Sequence, residues 1–292
     1  MENTADSIDK SRSPHWKRTA VLFLASQTIS LFGSMIVQYA IVWHITLTAK
    51  SGAMMTVSIL CGFLPTFFLS PFAGVWVDRY DRRRLIALAD GAIAAVTLAV
   101  AVLFSVGVDG LWVLFAALAL RAFGAAVHGP AVSAFIPQFV PVDALTKVNG
   151  AYQSIQSAVM LIAPILAGLL LSLAPIQTAF FIDVATAAVA IFVLLIFVRV
   201  KAHPKAAESK TTSYYADLRG GIAYVLNHGY VKRFFVFCVF FFFLVAPAAF
   251  LTPLQVTRSF GPEVWRLTAI EIAFSLGMMA GGLLLGIWGG FR

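Results

Sequence analysis

Long apolar stretches separated by shorter polar connections are the dominant pattern of this chain. A helix that crosses a bilayer needs about 20 mostly apolar residues. Eight stretches meet that requirement: Thr19–Leu47, Gly52–Val75, Leu85–Gly107, Leu111–Pro130, Ala151–Ala174, Ile176–Val198, Phe234–Thr252 and Leu267–Trp288. The pattern therefore predicts an all-α membrane protein.

The amino-acid composition excludes a soluble domain. Of the 292 residues, 60% are hydrophobic and only 12% are charged, whereas soluble domains carry about 25% charged residues. So few charges do not cover a surface that faces water. The polar N-terminus is interpreted as a tail and not as a cleavable signal peptide, because no small-residue cleavage site follows the first apolar run.

The distribution of lysine and arginine predicts the orientation in the membrane. With the N-terminus in the cytoplasm, the inner loops hold 17 of the 21 basic residues, and the outer loops hold only Lys50, Arg258 and Arg266. Cytoplasmic loops characteristically carry such an excess. We therefore expect a multi-pass protein of a bacterial-type inner (cell) membrane with a cytoplasmic N-terminus. The same distribution accounts for the net charge of +8 without a nucleic-acid partner.

One connection is much longer than the others and divides the chain. The predicted organisation is a cytoplasmic tail (1–18), an N-terminal six-helix bundle (19–198), a cytoplasmic linker (199–233) and two further transmembrane helices (234–292). Within the linker, Leu218, Ile222, Val225 and Leu226 fall on one helical face. This spacing predicts a short amphipathic helix at the inner membrane surface.

The loop between the second and third predicted helices carries the most specific motif, Gly74-Val75-Trp76-Val77-Asp78-Arg79-Tyr80-Asp81-Arg82-Arg83-Arg84. It resembles the signature loop of the major facilitator superfamily, G-x-x-x-D-R-x-G-R-R. The matching residues are Gly74, Asp78, Arg79, Arg82 and Arg83, whereas Asp81 replaces the second glycine, so we expect a less tight turn. The glycine permits close helix approach, and the arginines can bridge helix ends. The resemblance implies that the five matching residues stabilise the closed cytoplasmic side of a transporter.

Two further segments are similar to motifs of this superfamily. Leu118–Gly124 contains Arg121 and resembles the fourth-helix arginine motif, and Ala163–Gly168 resembles the glycine–proline motif of exporters, with a predicted helix kink at Pro164 and Gly168. Along its length the chain resembles the branch that includes macrolide-efflux proteins and enterobactin exporters. The resemblance implies a major facilitator-type helical bundle, with a complete six-helix N-terminal half and the first two helices of the C-terminal half.

The last residues echo the signature loop. In Gly286-Ile287-Trp288-Gly289-Gly290-Phe291-Arg292 the first glycine and the tryptophan coincide with those of the Gly74 motif. Because transporter folds often contain internal repeats, we expect the last two helices to repeat the first two. The family's usual twelve helices would then need four more after Arg292, which predicts a C-terminally truncated chain.

Charged side chains inside the membrane are candidates for function because they are costly there. Arg121 is expected either to gate proton coupling or to form a structural ion pair. Asp183 and Glu271 are candidate proton or cation carriers, with hydration near the outer mouth as the alternative. Asp90 is a fourth proton-coupling candidate, or else a partner of the inner arginine cluster.

Polar side chains in two helices are candidates for the wall of a substrate cavity, with helix–helix contact as the alternative; they are Gln27, Gln38, His44, Gln153 and Gln156. We expect no enzyme activity, no cofactor and no metal site, since the chain has no P-loop and no metal-ligand spacing. Transport would then draw on an ion gradient, with protons as the expected coupling ion.

The leading functional hypothesis is a secondary active transporter that exports amphipathic drugs such as macrolides in exchange for protons, by rocking of two halves. The expected partners are the small-molecule substrate, protons and the lipid bilayer. One alternative is an exporter of a siderophore or other natural product. The other is an inactive truncated fragment of such a transporter.

Overall fold

The computed structural model describes residues 15–198, 200 and 223–288, with side chains up to residue 281 except that of Pro247. Eight helices in this part of the chain are long and apolar enough to cross a membrane, which confirms the predicted all-α fold. They are α1 (Trp16–Ala49), α2 (Gly52–Arg79), α3 (Arg82–Ser105), α4 (Leu111–Phe135), α5 (Val142–Leu173), α6 (Gln177–Phe197), α7 (Gly229–Phe260) and α8 (Val264–Trp288).

Several helices are longer than their apolar stretches. The largest difference at a single helix end is in α5, which begins at Val142, directly after Pro141, and not at Ala151. The hydropathy pattern detects only the part of a helix that suits the hydrocarbon core. Beyond that part, a helix continues through polar residues because its backbone hydrogen bonds do not depend on the side chains. For the same reason residues 229–233 of the predicted linker belong to α7.

Three sequence predictions fall wholly or partly outside the described residues. They are the tail up to residue 14, the Leu218 and Ile222 part of the amphipathic helix, and the side chains of the echo at 286–292. Of the amphipathic segment, residues 223–227 are described and are helical.

The first six helices pack into one bundle. Helix α1 packs against α6 and α5, α2 packs against α4, and α3 packs against α4 and α6. The signature-loop end, defined by residues 79–84, contains an aromatic core in which the ring of Phe23 lies 5.2 Å from that of Phe135 and 5.7 Å from that of Phe139. A second apolar core lies towards the opposite end, which we call the Lys50 end.

Helices α7 and α8 meet the six-helix bundle near the Lys50 end. The Arg258 guanidinium of α7 donates hydrogen bonds of 2.7 and 3.2 Å to the Lys50 carbonyl at the end of α1. Helix α8 packs along α5, where a Cβ added at Gly168 would overlap the Thr268 hydroxyl. The absence of a side chain at Gly168 therefore makes room for Thr268 at the contact between these two helices.

Candidate functional site

A cavity of about 450 Å³ lies between the six-helix bundle and the two later helices. Its wall comes from α1, α2, α3, α4, α7 and α8, and it is mostly apolar, with Trp43, Phe63 and Phe250 among the lining side chains. The volume falls in the range of small-molecule sites, about 300–1,000 Å³. The cavity is therefore large enough to enclose an organic ligand.

Few polar groups face this cavity. Glu271 of α8 is the only carboxylate among its described lining residues, and it shares the wall with Gln38, Tyr39 and Arg121. The Tyr39 hydroxyl of α1 lies close enough to Glu271 of α8 for the two side chains to interact. A small number of placed polar groups in an apolar wall is the usual composition of a specific small-molecule site.

A buried ion pair lies beside the cavity. The Arg121 guanidinium contacts Asp183 at 2.6 Å, with 6% of Arg121 and 1% of Asp183 exposed. Asp183 also accepts hydrogen bonds from Thr97 at 2.9 Å and Ser34 at 3.2 Å. Arg121 donates to the Ser34 carbonyl and to the Thr97 hydroxyl. The two charges therefore neutralise each other inside a network that joins α1, α3, α4 and α6.

Gly33 allows α1 and α6 to lie close enough together for this network to form. A Cβ added at Gly33 would overlap the Thr186 hydroxyl and would lie 3.0 Å from the Asp183 Cα atom. Glycine therefore lets α1 approach the backbone of α6 at the position of the buried carboxylate.

A second buried polar cluster lies nearer the signature-loop end. Asp90 of α3 is 4% exposed and accepts a hydrogen bond of 2.9 Å from Ser30. The His128 Nε2 atom of α4 lies 3.3 Å from Asp90 Oδ1, but at an angle that makes no hydrogen bond. A histidine and a carboxylate this close interact electrostatically even without the alignment of a hydrogen bond. Asp90 is thus not held by the arginines of the signature loop.

The signature-loop arginines bind the ends of other helices. Arg82 donates to the Val77 carbonyl at 3.2 Å and to the Ala134 carbonyl at 3.3 Å, near the C-termini of α2 and α4. Arg83 donates to the Leu194 carbonyl at 3.1 Å, and also to that of Leu195, at the C-terminus of α6. Carbonyls at a helix C-terminus lack intrahelical partners and attract positive charge. These two arginines therefore tie three helix ends together.

Asp81 caps α3 where the family motif has glycine. Its side chain accepts a hydrogen bond of 2.9 Å from the Arg84 backbone, and its φ of −62° needs no glycine. Asp78 and Arg79 are exposed, and Asp78 lies 3.8 Å from Arg82. At Gly74 an added Cβ would meet no described atom within 4 Å, so the close helix approach expected from the motif is absent between the described helices.

The sequence matches the profile of the Major Facilitator Superfamily over residues 21–292. The chain belongs to the major facilitator superfamily. It is 31% identical over 278 residues to macrolide efflux protein A of Streptococcus pyogenes, with 95% of this chain and 68% of that protein covered. It is also 31% identical over 242 residues to macrolide efflux protein A of Enterococcus faecalis, with 82% and 75% covered.

A solved structure shows the same fold. The auto-inhibited POT family peptide transporter matches with a TM-score of 0.57 and 18% identity, covering 89% of this chain and 52% of that one. The chain thus spans about half the length of that transporter. At this identity the likeness supports the major facilitator fold alone.

The polar residues that the sequence predicts for the cavity wall do not lie together in the structure. Gln38 lines the cavity, whereas Gln27 is 1% exposed and does not. His44 lies edge-on to Phe104, with ring centroids 6.2 Å apart. On α5, Gln153 is exposed and Gln156 is half-buried beside Tyr152. Pro164 and Gly168 are buried inside α5, which runs unbroken past both of them.

Sequence reasoning missed the neutral residues that contact the charged side chains: Gly33, Ser34 and Thr97 at the buried ion pair, and Tyr39 at Glu271. Serine, threonine and glycine are common in membrane helices, because they permit close packing. The spacing of two serines in α1 could have indicated a shared polar face. Ser30 and Ser34 are four residues apart and share a face of α1, and each binds a different buried aspartate.

Proposed function

We propose that this chain forms the substrate cavity of a secondary transporter that exports amphipathic, amine-bearing drugs, macrolides among them, in exchange for protons. The observation that carries the proposal is the cavity, whose mostly apolar wall holds one carboxylate among its described residues, that of Glu271. The relatives named macrolide efflux protein A support the drug class. A cation with an apolar body is the ligand that matches such a wall, since a buried charge needs an opposite partner.

Glu271 is the group that would exchange a proton for the substrate. The oxygens of Asp183 are occupied by Arg121, Thr97 and Ser34, so that carboxylate is not free to receive a ligand. Glu271 faces the cavity, and the side chain that interacts with it there is the uncharged Tyr39 hydroxyl. A carboxylate holds either a proton or an ammonium group at one time, and such mutually exclusive binding couples two fluxes in opposite directions.

In this proposal the signature loop faces the cytoplasm. The contacts of Arg258 with Lys50 and of Thr268 with Gly168 lie at the outer side, and they open when α7 and α8 move relative to the first six helices. The interhelical bonds of Arg82 and Arg83 hold the cytoplasmic ends of the first six helices as one unit during that motion.

The orientation predicts opposite labelling of two exposed side chains. Tyr80 lies at the signature-loop end, and Leu173 lies at the Lys50 end; both are well exposed. In a background with Cys61 and Cys238 replaced by serine, Leu173→Cys is expected to react with a membrane-impermeant maleimide in intact cells. Tyr80→Cys is expected to react only in inside-out vesicles. Labelling of Tyr80→Cys in intact cells contradicts the orientation.

The exchange mechanism predicts a large loss of efflux on neutralising Glu271. In a host without its own drug pumps, the chain is expected to lower the accumulation of a radiolabelled macrolide, and an uncoupler is expected to reverse this. Glu271→Gln is expected to lower the proton-driven efflux rate at least about 100-fold, the scale of losing a proton-transfer group.

The matched control is Glu263→Gln, which removes an exposed carboxylate paired with Arg266 outside the cavity and is expected to retain efflux. Uncoupler-sensitive efflux that persists in Glu271→Gln contradicts the role of Glu271. No effect of the parent chain on any amphipathic amine contradicts the export proposal itself.

A further inference from the structure

The buried cluster around Asp90 has polar atoms that the rest of the bundle does not satisfy. Asp90 Oδ2, His128 Nε2 and both amide atoms of Gln27 are buried and have no hydrogen-bond partner among the described residues. Gln27 is 1% exposed and lies one turn before Ser30 on the same face of α1. Buried polar groups are otherwise almost always paired, so each exception needs an explanation.

The position of this cluster relates it to the ion pair and the cavity. Asp90 and Thr97 are seven residues apart on α3, as are Arg121 and His128 on α4, so the two networks lie about 10 Å apart along both helices. Ser30 and Ser34 link them along α1, each bound to one aspartate. The ion pair adjoins the cavity through Arg121, and the Asp90 cluster lies beyond it towards the signature loop.

We propose that Asp90 and His128 together form a second proton-binding site, separate from Glu271, through which a proton passes between the cavity and the signature-loop side. The proposal rests on the proton coupling of the proposed function. The proton adds to His128 Nε2 or Asp90 Oδ2 and leaves to water at the signature-loop side. A histidine beside a carboxylate suits this role because both side chains can take up and release a proton.

The other charged and titratable groups around the pair have partners of their own. Tyr152 of α5 is close enough to act on Asp90 electrostatically and also interacts with Gln156. Asp183 of α6 is held by Arg121. On α3 itself, Arg83 is bound to the end of α6, and α1 contributes only neutral groups here. Asp90 and His128 are therefore the groups that would take up a proton in this part of the bundle.

Infrared difference spectroscopy on the full chain in lipid vesicles tests the site without requiring transport. Acidification from about pH 8 to pH 5 is expected to produce carboxyl or imidazole bands that Asp90→Asn and His128→Gln alter. Asparagine retains the acceptor for Ser30, so the bundle is expected to stay intact. His128→Gln is expected to alter the Asp90-dependent band, because the His128 Nε2 atom lies 3.3 Å from Asp90 Oδ1. Asp143→Asn, at an exposed aspartate of α5, is the matched control and is expected to leave these bands unchanged.

Glu271→Gln separates this site from the proposed exchange group. It is expected to remove a different band and to leave the bands that depend on Asp90 in place. If Asp90→Asn and His128→Gln both give the wild-type difference spectrum, the second site is overturned, whatever Glu271 does. If the Asp90 bands persist but neither the Glu271 band nor efflux is found, the exchange mechanism fails and the second site stands.

Discussion

Asp183→Ala is expected to lower the free energy of unfolding by about 3–5 kcal/mol, the cost of removing one partner of a buried ion pair. The substitution leaves the Arg121 guanidinium, which is 6% exposed, without its countercharge. It also removes the acceptor of Thr97 and Ser34. Denaturant-induced loss of helical signal in detergent micelles measures the change.

Replacement of both charges at once identifies the ion pair as the cause. Replacing both partners, with Arg121→Met and Asp183→Leu, is expected to recover most of the stability, since a buried pair replaced by apolar groups is often neutral. Glu263→Gln, which breaks the more exposed pair with Arg266, is expected to cost less than about 1 kcal/mol. Equal losses for Asp183→Ala and Glu263→Gln would show that the buried pair does not stabilise the fold.

Gly33→Ala is expected to destabilise the bundle by about 1–3 kcal/mol, the usual cost of forcing extra atoms into a packed core. The added Cβ would overlap the Thr186 hydroxyl and press on the Asp183 backbone at 3.0 Å. Rotation of Thr186 relieves only the first contact, so α1 and α6 must separate. Because Asp183 lies at the contact, we also expect transport to fall.

Gly150→Ala in α5 is the matched control for this substitution. A Cβ at Gly150 meets no described atom within 4 Å, and alanine favours a helix over glycine by about 1 kcal/mol. We therefore expect unchanged or slightly higher stability. Unfolding curves that coincide for Gly33→Ala and the parent chain would contradict the close approach of α1 and α6.

The membrane-spanning segments were predictable because the property that defines them is local. A run of apolar residues must form a helix in lipid, where every backbone polar group needs an internal partner. All eight predicted segments lie within observed helices or end within two residues of them. The signature-loop residues were likewise readable in one stretch of sequence, and they led to the superfamily that the profile match confirms.

The pairing of charges was not predictable in the same way. Arg121 was expected to be a gating residue or one partner of an ion pair, and Asp183 to be a proton carrier. The structure pairs the two, 62 residues apart in sequence, at 2.6 Å. Glu271 was predicted to be a proton carrier on the same grounds as Asp183. In the structure it faces the cavity beside Tyr39. Hydropathy alone does not distinguish a carboxylate with a cationic partner from one without.

Gln27 and Gln38 show that the sequence also does not distinguish cavity-lining from buried residues within one helix. They are eleven residues apart, about three turns, and so share a face of α1. Yet Gln38 lines the cavity and Gln27 is buried away from it, because the cavity extends along only part of that face. By itself, the sequence determined which segments cross the membrane, the family and the residues able to carry charge. Only the tertiary structure decided which charges are neutralised and which face the cavity, because that depends on contacts between helices distant in the chain.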